Sequence, residues 1–284
     1  MEEMVKKVDI LIEALPYIKK FHNKVMVIKY GGSILAEEKI RKVVLQDIVF
    51  LNFVGIKIVL VHGGGPSISE RMRQEGRKTE FFDGMRVTDE ETLQVVEGEL
   101  RRLNALIVEE LKTLGAKAVS LDGKKDEIIL AKKKKAKIDL GFVGQIARIN
   151  CEPILKEINK GYISVVLPMG KGDDERAYNV NADESASYIA SSLGAEKLIL
   201  LTNVSGIMRN PDESNSLIST LSINEARELI KEKVVQEGMI PKVEACIFAL
   251  ENGVKKTHII DARLIHSLLL EIFTDKGIGT EIIR

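Results

Sequence analysis

The sequence predicts an α/β fold built on an open, doubly wound, mainly parallel sheet. Three observations carry this. Short β-branched runs alternate with stretches of helical periodicity along most of the 284 residues, the pattern of right-handed strand–helix–strand units. Most of those runs, "ISVVL" and "LILL" among them, are continuously apolar, as parallel strands covered on both faces require. The length fits about two domains or one large α/β unit, and 45% apolar with 30% charged residues is a globular composition.

The elements follow in order. Residues 4–21, "MVKKVDILIEALPYIKKF", place Val5, Val8, Ile12 and Leu15 at helical spacing, with Lys6, Lys7, Glu13 and Lys19 facing elsewhere. Pro16 lacks an N–H and is expected to kink or end that helix. The helix either packs on its own domain or serves as an arm that docks on another subunit. "KVMVIKY" (24–30) reads as the first strand and residues 37–54 as a helix. "IKIVLVHGG" (56–64) is a second strand, followed by a helix that Pro66 opens at its first turn. Further strands are "AKAVSL", "YISVVLP", "EKLILLT" and "KKTHIID". Residues 125–150 alternate more like antiparallel hairpins, with the lysine run 132–135 as a solvated tip. A domain boundary falls near Gly194, giving units 1–194 and 195–284.

Lys plus Arg equals Asp plus Glu at 42 each, which argues against a wide basic face for nucleic acid or an anionic membrane. No apolar run approaches the ~20 residues of a membrane-spanning helix, and no secretory leader is recognisable, so a cytoplasmic protein is expected. Cys151 and Cys246 stand far apart, which fits a reducing compartment. Cys246, in an apolar helical segment, reads as a small buried hydrophobe. The four histidines, 22, 62, 258 and 266, show no metal-ligand spacing.

Ligands in open α/β sheets bind beyond the carboxyl ends of the strands, and two glycine-rich turns occupy that position. Gly31 and Gly32 follow the first strand beside Lys29, and "HGGGP" (62–66) follows the second. Such turns let consecutive N–H groups point at one anion, and a following helix adds its positive end. Neither turn completes G-x-x-x-x-G-K-[ST] or G-x-G-x-x-G. His62 is expected to shape its turn through a ring hydrogen bond rather than to transfer a proton. A third element, "YNVNADESA" (178–186), spaces Asn179, Asn181 and Asp183 at alternate positions, which in extended chain puts all three on one side. Asn181 or Asp183 could equally cap the helix that follows. In the fourth, "GMIPKVEAC" (238–246), Pro241 suits a first helical turn and sets Lys242 near a helix start. A lysine there is electrostatically odd unless an anion lies beside it; a solvated lysine is the other reading.

"VIKYGGS", "VHGGGPSIS", "GMRVTDEET", "YNVNADESA", "EKLILLTNVSGI" and "GMIPKVEA", in this order over nearly the whole chain, closely resemble the amino acid kinase family. The resemblance implies a three-layer αβα sandwich, with residues 1–194 carrying an N-terminal helix, the acetylglutamate site and the dimer contact, and 195–284 binding ATP. The implied reaction moves the ATP γ-phosphoryl group to the side-chain carboxylate of N-acetyl-L-glutamate, giving N-acetyl-L-glutamyl 5-phosphate for arginine biosynthesis. A carboxylate is already a nucleophile at neutral pH, so the protein must manage charge repulsion and in-line alignment. Lys29 and Lys242 resemble the lysines that neutralise the migrating group, and Asp183 the carboxylate that orients both. Gly31, Gly32, Gly64 and Gly65 match phosphate-holding glycines, the last two also touching substrate. Arg86 matches the fork on the α-carboxylate, with a structural salt bridge as its other reading, and Asn179 and Asn181 match substrate contacts. Thr202, Asn203, Val204, Gly206 and Met239 match the nucleotide side; Asn203 stands where many relatives carry aspartate. Mg²⁺ would arrive on the ATP phosphates, with no metal site of the protein's own.

"LIEALPYIKKF" resembles the extra helix of arginine-inhibited members, whose interlaced arms join three dimers into a hexamer. Tyr17, Lys197, Glu271 and Gly277, the last two within "EIFTDKGIGT", match positions lining the arginine site. Two alternatives stay open: a kinase of the same family acting on an aminoadipate derivative of lysine biosynthesis, and a non-catalytic nucleotide or amino-acid sensor.

Overall fold

The computed structural model describes residues 2–210, 213–274 and 277–284, with the side chains of 2–7, 10, 214 and 237 left aside. Helix α1 (Glu2–Phe21) runs through Pro16 rather than ending there; one missing N–H leaves the ladder on either side intact. Then come β1 (Val25–Tyr30), α2 (Gly32–Leu35), α3 (Glu38–Phe53), β2 (Lys57–His62) and α4 (Gly65–Gln74). A short hairpin, β3 (Phe81–Phe82) and β4 (Met85–Arg86), precedes α5 (Glu90–Thr113) and β5 (Ala118–Asp122). Next are β6 (Ile129–Lys133), β7 (Gly144–Ile149), α6 (Glu152–Ile158), β8 (Ile163–Leu167), β9 (Met169–Gly172), β10 (Ala177–Asn179) and α7 (Ala182–Ser192). The last third holds β11 (Lys197–Thr202), β12 (Thr220–Ser222), α8 (Ile223–Lys231), α9 (Ile240–Glu251), β13 (Lys256–Asp261), α10 (Ser267–Phe273) and β14 (Thr280–Ile283).

Eight strands form the central sheet in the order β12-β14-β13-β11-β1-β2-β8-β5. It is parallel except where β14 meets β13. Alternate residues feed two cores on opposite faces, as the period of two requires. Val27, Val59, Leu198 and Leu200 pack under α6, α7, α8 and α9 on one face. Met26, Ile28, Leu60 and Ile199 pack under α3, α5 and α10 on the other. The three-layer sandwich is therefore built as expected. The sheet continues across the expected boundary at Gly194, because β1 pairs with β2 on one side and with β11 on the other.

Strands β6 and β7 pair antiparallel, as their alternation predicts, within a second sheet of order β10-β9-β6-β7. The lysine run only partly obeys its forecast. Lys132, Lys133 and Lys135 are exposed, but Lys134 is half-buried and faces Glu184 at 3.5 Å. Cys246 is fully buried, and burial pushes its thiol up to about 12, which suits an inert core residue. Along α1, Val8, Leu11, Ile12 and Leu15 are exposed; Val5, Lys6 and Lys7 have side chains outside the described part.

Candidate active site

Tyr30 of β1 stands opposite His62 of β2, so both glycine turns leave the same end of the sheet. A Cβ on Gly32 would come within 2.9 Å of Gly65 N and 3.0 Å of Gly64 N. Glycine is what lets the two turns meet. A Cβ on Gly64 would in turn strike Leu100 of α5 at 2.9 Å. The turns are not equivalent in what they offer an anion. Gly31 lines the cavity, but its N–H donates to Leu201 O at 3.3 Å, so its amide is shared with the seam between β1 and β11. Among the described residues, no backbone carbonyl takes the N–H of Gly32, Gly64 or Gly65.

Asn181 caps α7, its Oδ1 accepting from Asp183 N at 2.8 Å and Glu184 N at 3.1 Å. The extended alternation therefore stops at Asn181, and Asp183 sits on the first helical turn. Its carboxylate is still aimed into the site. Lys29 Nζ lies 2.9 Å from Asp183 Oδ1, and Lys242 Nζ lies 3.2 Å from Oδ2. Lys242 reaches there from the first turn of α9, which Pro241 opens, and also donates to Gly238 O at 3.2 Å. Burial alone would push the Asp183 carboxyl up, yet the Lys29 and Lys242 ammoniums outweigh it and hold it below its ordinary value. Burial draws the Lys29 ammonium down, against the pull of Asp183 and with the help of Lys242. Two cations share one carboxylate. The surplus positive charge is what an incoming anion relieves, because an uncompensated buried charge is costly.

Arg86 is buried and held without a carboxylate among the described residues. Nη2 donates to Gly65 O at 3.0 Å and to Ser69 Oγ at 2.8 Å, while Nη1 lies 3.3 Å from Met72 Sδ. The Phe81 ring sits 4.8 Å from its Cζ. Burial lowers its pKa, and the reading of Arg86 as one half of a structural salt bridge fails. Asn179 Nδ2 donates to Thr88 Oγ1 at 3.3 Å.

One cavity of about 360 Å³ gathers the two lysines, Asp183, Arg86, Asn179, Asn181 and the glycine turns. Of the five residues expected on the nucleotide side, Thr202 and Asn203 line it. Val204 is exposed, Gly206 packs against Thr280, and Met239 packs on the core beneath α9; none of the three lines the cavity. Lys134 and Glu184 do. Nothing in the sequence separates Lys134 from its neighbouring lysines.

A second cluster lies at the opposite end of β11. Lys197 Nζ is 3.0 Å from His258 Nε2 and 3.9 Å from Glu271 Oε1. An ammonium only donates, so Nε2 accepts and Nδ1 carries the ring proton, 2.7 Å from Glu271 Oε1. Ile278 N donates to Glu271 Oε2 at 3.2 Å, and a Cβ on Gly277 would lie 3.1 Å from that oxygen. Burial would raise the Glu271 carboxyl, but His258 and Lys197 hold it below its ordinary value. Tyr17 packs edge-on against Phe273 of α10, and Lys197 sits 5.6 Å from the Phe21 ring. Lys197, Glu271 and Gly277 thus lie together, with Tyr17 on the helix alongside; Asp275 and Lys276 of that segment lie outside the described residues. His258 is the member that scattered histidines did not reveal.

The model of the amino acid kinase family matches residues 24–261. The acetylglutamate kinase of Caldanaerobacter subterraneus subsp. tengcongensis is 50% identical over 279 residues, covering 98% of this chain and 93% of that protein. N-acetylglutamate synthase from Neisseria gonorrhoeae, solved with coenzyme A and N-acetyl-glutamate, superposes with a TM-score of 0.88 at 28% identity, over 98% of this chain and 63% of that one. Its complex with coenzyme A and L-arginine gives 0.84 at 27% identity, over 97% and 65%.

Proposed function

We infer that this chain, which belongs to the amino acid kinase family, phosphorylates the side-chain carboxylate of N-acetyl-L-glutamate with ATP, as an acetylglutamate kinase of arginine biosynthesis. The observation that carries the reading is the pairing, in one cavity, of a cation-rich trio with a buried arginine that meets no carboxylate among the described residues. One end suits a migrating phosphoryl group, the other an amino-acid carboxylate. The 50% identical relative bears the name of that activity.

In this reading a substrate carboxylate oxygen bonds to the γ-phosphorus as the bond to the ADP oxygen breaks. Lys29, from the end of β1, and Lys242, from the start of α9, neutralise the equatorial oxygens, and Asp183 keeps both ammoniums aimed. The amides of Gly32, Gly64 and Gly65 cradle the group in transit. Arg86 takes the α-carboxylate in a two-pronged bond, with Asn179 and Asn181 on the acylamino side. Thr202 and Asn203 border the nucleotide, and Val204, Gly206 and Met239 extend its contact beyond the cavity. Among the described residues no three His, Cys, Asp or Glu side chains could hold a metal ion. The single carboxylate of the trio is already taken by two lysines, so Mg²⁺ fits only as the companion of ATP, where it supplies further positive charge to the phosphates. The division into a 1–194 substrate unit and a 195–284 nucleotide unit belongs to the same proposal, as does a cytoplasmic home; no described helix is long and apolar enough to cross a membrane.

L-arginine is proposed as an inhibitor acting at the second cluster, its guanidinium against Glu271. The neighbouring synthase solved with L-arginine supports this. The exposed apolar residues of α1 support the arm as a contact between copies, giving dimers joined into a hexamer. ADP release measured with N-acetyl-L-glutamate and with N-acetyl-L-aminoadipate separates the two candidate substrates. Turnover of the first alone supports the reading, and preference for the second overturns it.

A further inference from the structure

Asn104 lies buried on α5, in no motif and outside the cavity. Its Nδ2 is 3.0 Å from Val165 O and 3.2 Å from His62 Nε2. A carbonyl only accepts, so the atom facing Val165 must be the amide nitrogen, and that settles which way the Asn104 side chain is turned. The second hydrogen of the same NH₂ then meets His62 Nε2, which must be bare. The ring proton is therefore on Nδ1, 3.1 Å from Gly63 O. His62 is completely buried, and burial draws its pKa down to about 4, so the ring is neutral at physiological pH and its tautomer is set by Asn104.

The bond from Nδ1 has a consequence one peptide further on. Gly63 O and Gly64 N belong to one planar trans unit, in which the C=O and N–H point opposite ways. Holding the carbonyl on the His62 side turns the Gly64 N–H toward the gap facing Gly32, where a Cβ on Gly32 would lie only 3.0 Å from Gly64 N. Gly63 is fixed on its other side by donating to Tyr30 O at 2.9 Å.

We propose that Asn104 and His62 are positioning residues for phosphoryl transfer: Asn104 selects the tautomer of His62, and His62 locks the Gly63–Gly64 peptide so that the Gly64 amide faces the transferring group. The inference rests on the functional reading above, since it takes the glycine amides as the phosphate cradle. It assigns His62 no proton transfer, because Nε2 points into the protein interior at Asn104.

Three variants test it with N-acetyl-L-glutamate and ATP. His62→Asn keeps a donor near the place of Nδ1, His62→Gln moves the amide toward the place of Nε2, and Asn104→Leu keeps volume without a donor. Displacing a cradle amide by about 1 Å costs on the order of 100-fold, so His62→Gln and Asn104→Leu should lose about that much kcat. KM for N-acetyl-L-glutamate, whose Arg86 is untouched, should move less than about 3-fold, and His62→Asn should recover at least about 10-fold of the loss. Equal kcat for the Asn and Gln variants, or a loss confined to KM, would overturn the proposal. A second measurement is independent of turnover and of how the variants fold. The ¹⁵N signature of His62 in the wild-type chain should show a neutral ring protonated on Nδ1, and a ring protonated on Nε2 would overturn the relay. A wild-type chain that forms no acyl phosphate would count against the functional reading, while the ring signature decides the relay by itself.

Discussion

β11 begins in one buried lysine–carboxylate cluster and ends beside another. Its first residue, Lys197, meets His258 and Glu271, and its last, Thr202, borders the cavity of Lys29, Asp183 and Lys242, roughly 17 Å away along the strand. The two clusters use the same residue types but count charge differently. The cavity trio has two ammoniums for one carboxylate. At the other end the count is even: Lys197 faces Glu271 across His258, and a second carboxylate, Glu281, stands 3.8 Å from His258 and pairs with Lys256 at 2.6 Å. The first arrangement wants an anion. The second can give up a carboxylate to a cation. Charge count rather than residue identity separates the two ends, and breaking each count should have a different consequence.

The largest effect is expected in the trio. Lys242→Ala should lower kcat by about 10²–10³-fold, the scale of one removed transition-state donor, with little change in melting temperature because Lys29 still pairs with Asp183 at 2.9 Å. Arg86→Ala sharpens the contrast inside the cavity. It should raise KM for N-acetyl-L-glutamate by about 10- to 100-fold, the range of a charge-assisted hydrogen bond, and an unchanged KM would return Arg86 to a packing role. At the far end, Glu271→Gln should raise the arginine concentration needed for half-inhibition by about 10-fold or more, and unaltered sensitivity would detach that cluster from regulation. Removing residues 1–20 should reduce a hexamer to dimers in light scattering; a persisting hexamer would sever the arm from assembly.

The smallest effect is a pH dependence of stability at His62. Its pKa falls from 6.5 to about 4 on folding, so between those values the unfolded chain binds more protons and stability rises with pH. Acidification from about pH 7 to about pH 6 should therefore cost somewhat under ~1 kcal/mol through this group. A denaturant series that shows less of that slope in His62→Asn would confirm the source.

The sandwich and the glycine turns were legible because each is written locally, whereas the joining of Lys29, Asp183 and Lys242, 59 positions apart even for the last two, came only from the resemblance to the amino acid kinase family. Strand period, turn glycines and a proline-opened helix all state their geometry within a few residues. The misses have the opposite character. Asn104 reaches His62 across 42 positions, and His258 reaches Lys197 across 61, so only the folded sheet makes them neighbours. Gly31 looks like its partner Gly32 in the sequence, yet the parallel pairing of β1 with β11 shares its amide. Asp183 satisfies an alternation that the helix start at Ala182 interrupts, and it still reaches both lysines. Pro16 shows the limit of a strong local rule, since α1 passes through it.

The most direct test is trapping the acyl phosphate as its hydroxamate from N-acetyl-L-glutamate and ATP, comparing the wild-type chain with Lys242→Ala and Lys29→Met at saturating substrates. Robust product from the wild type and a loss of about 100-fold or more in each variant, at near-normal KM, is the predicted result. Variants that turn over within about 3-fold of the wild type would contradict it, for then the two ammoniums would not be what steadies the phosphoryl group in flight.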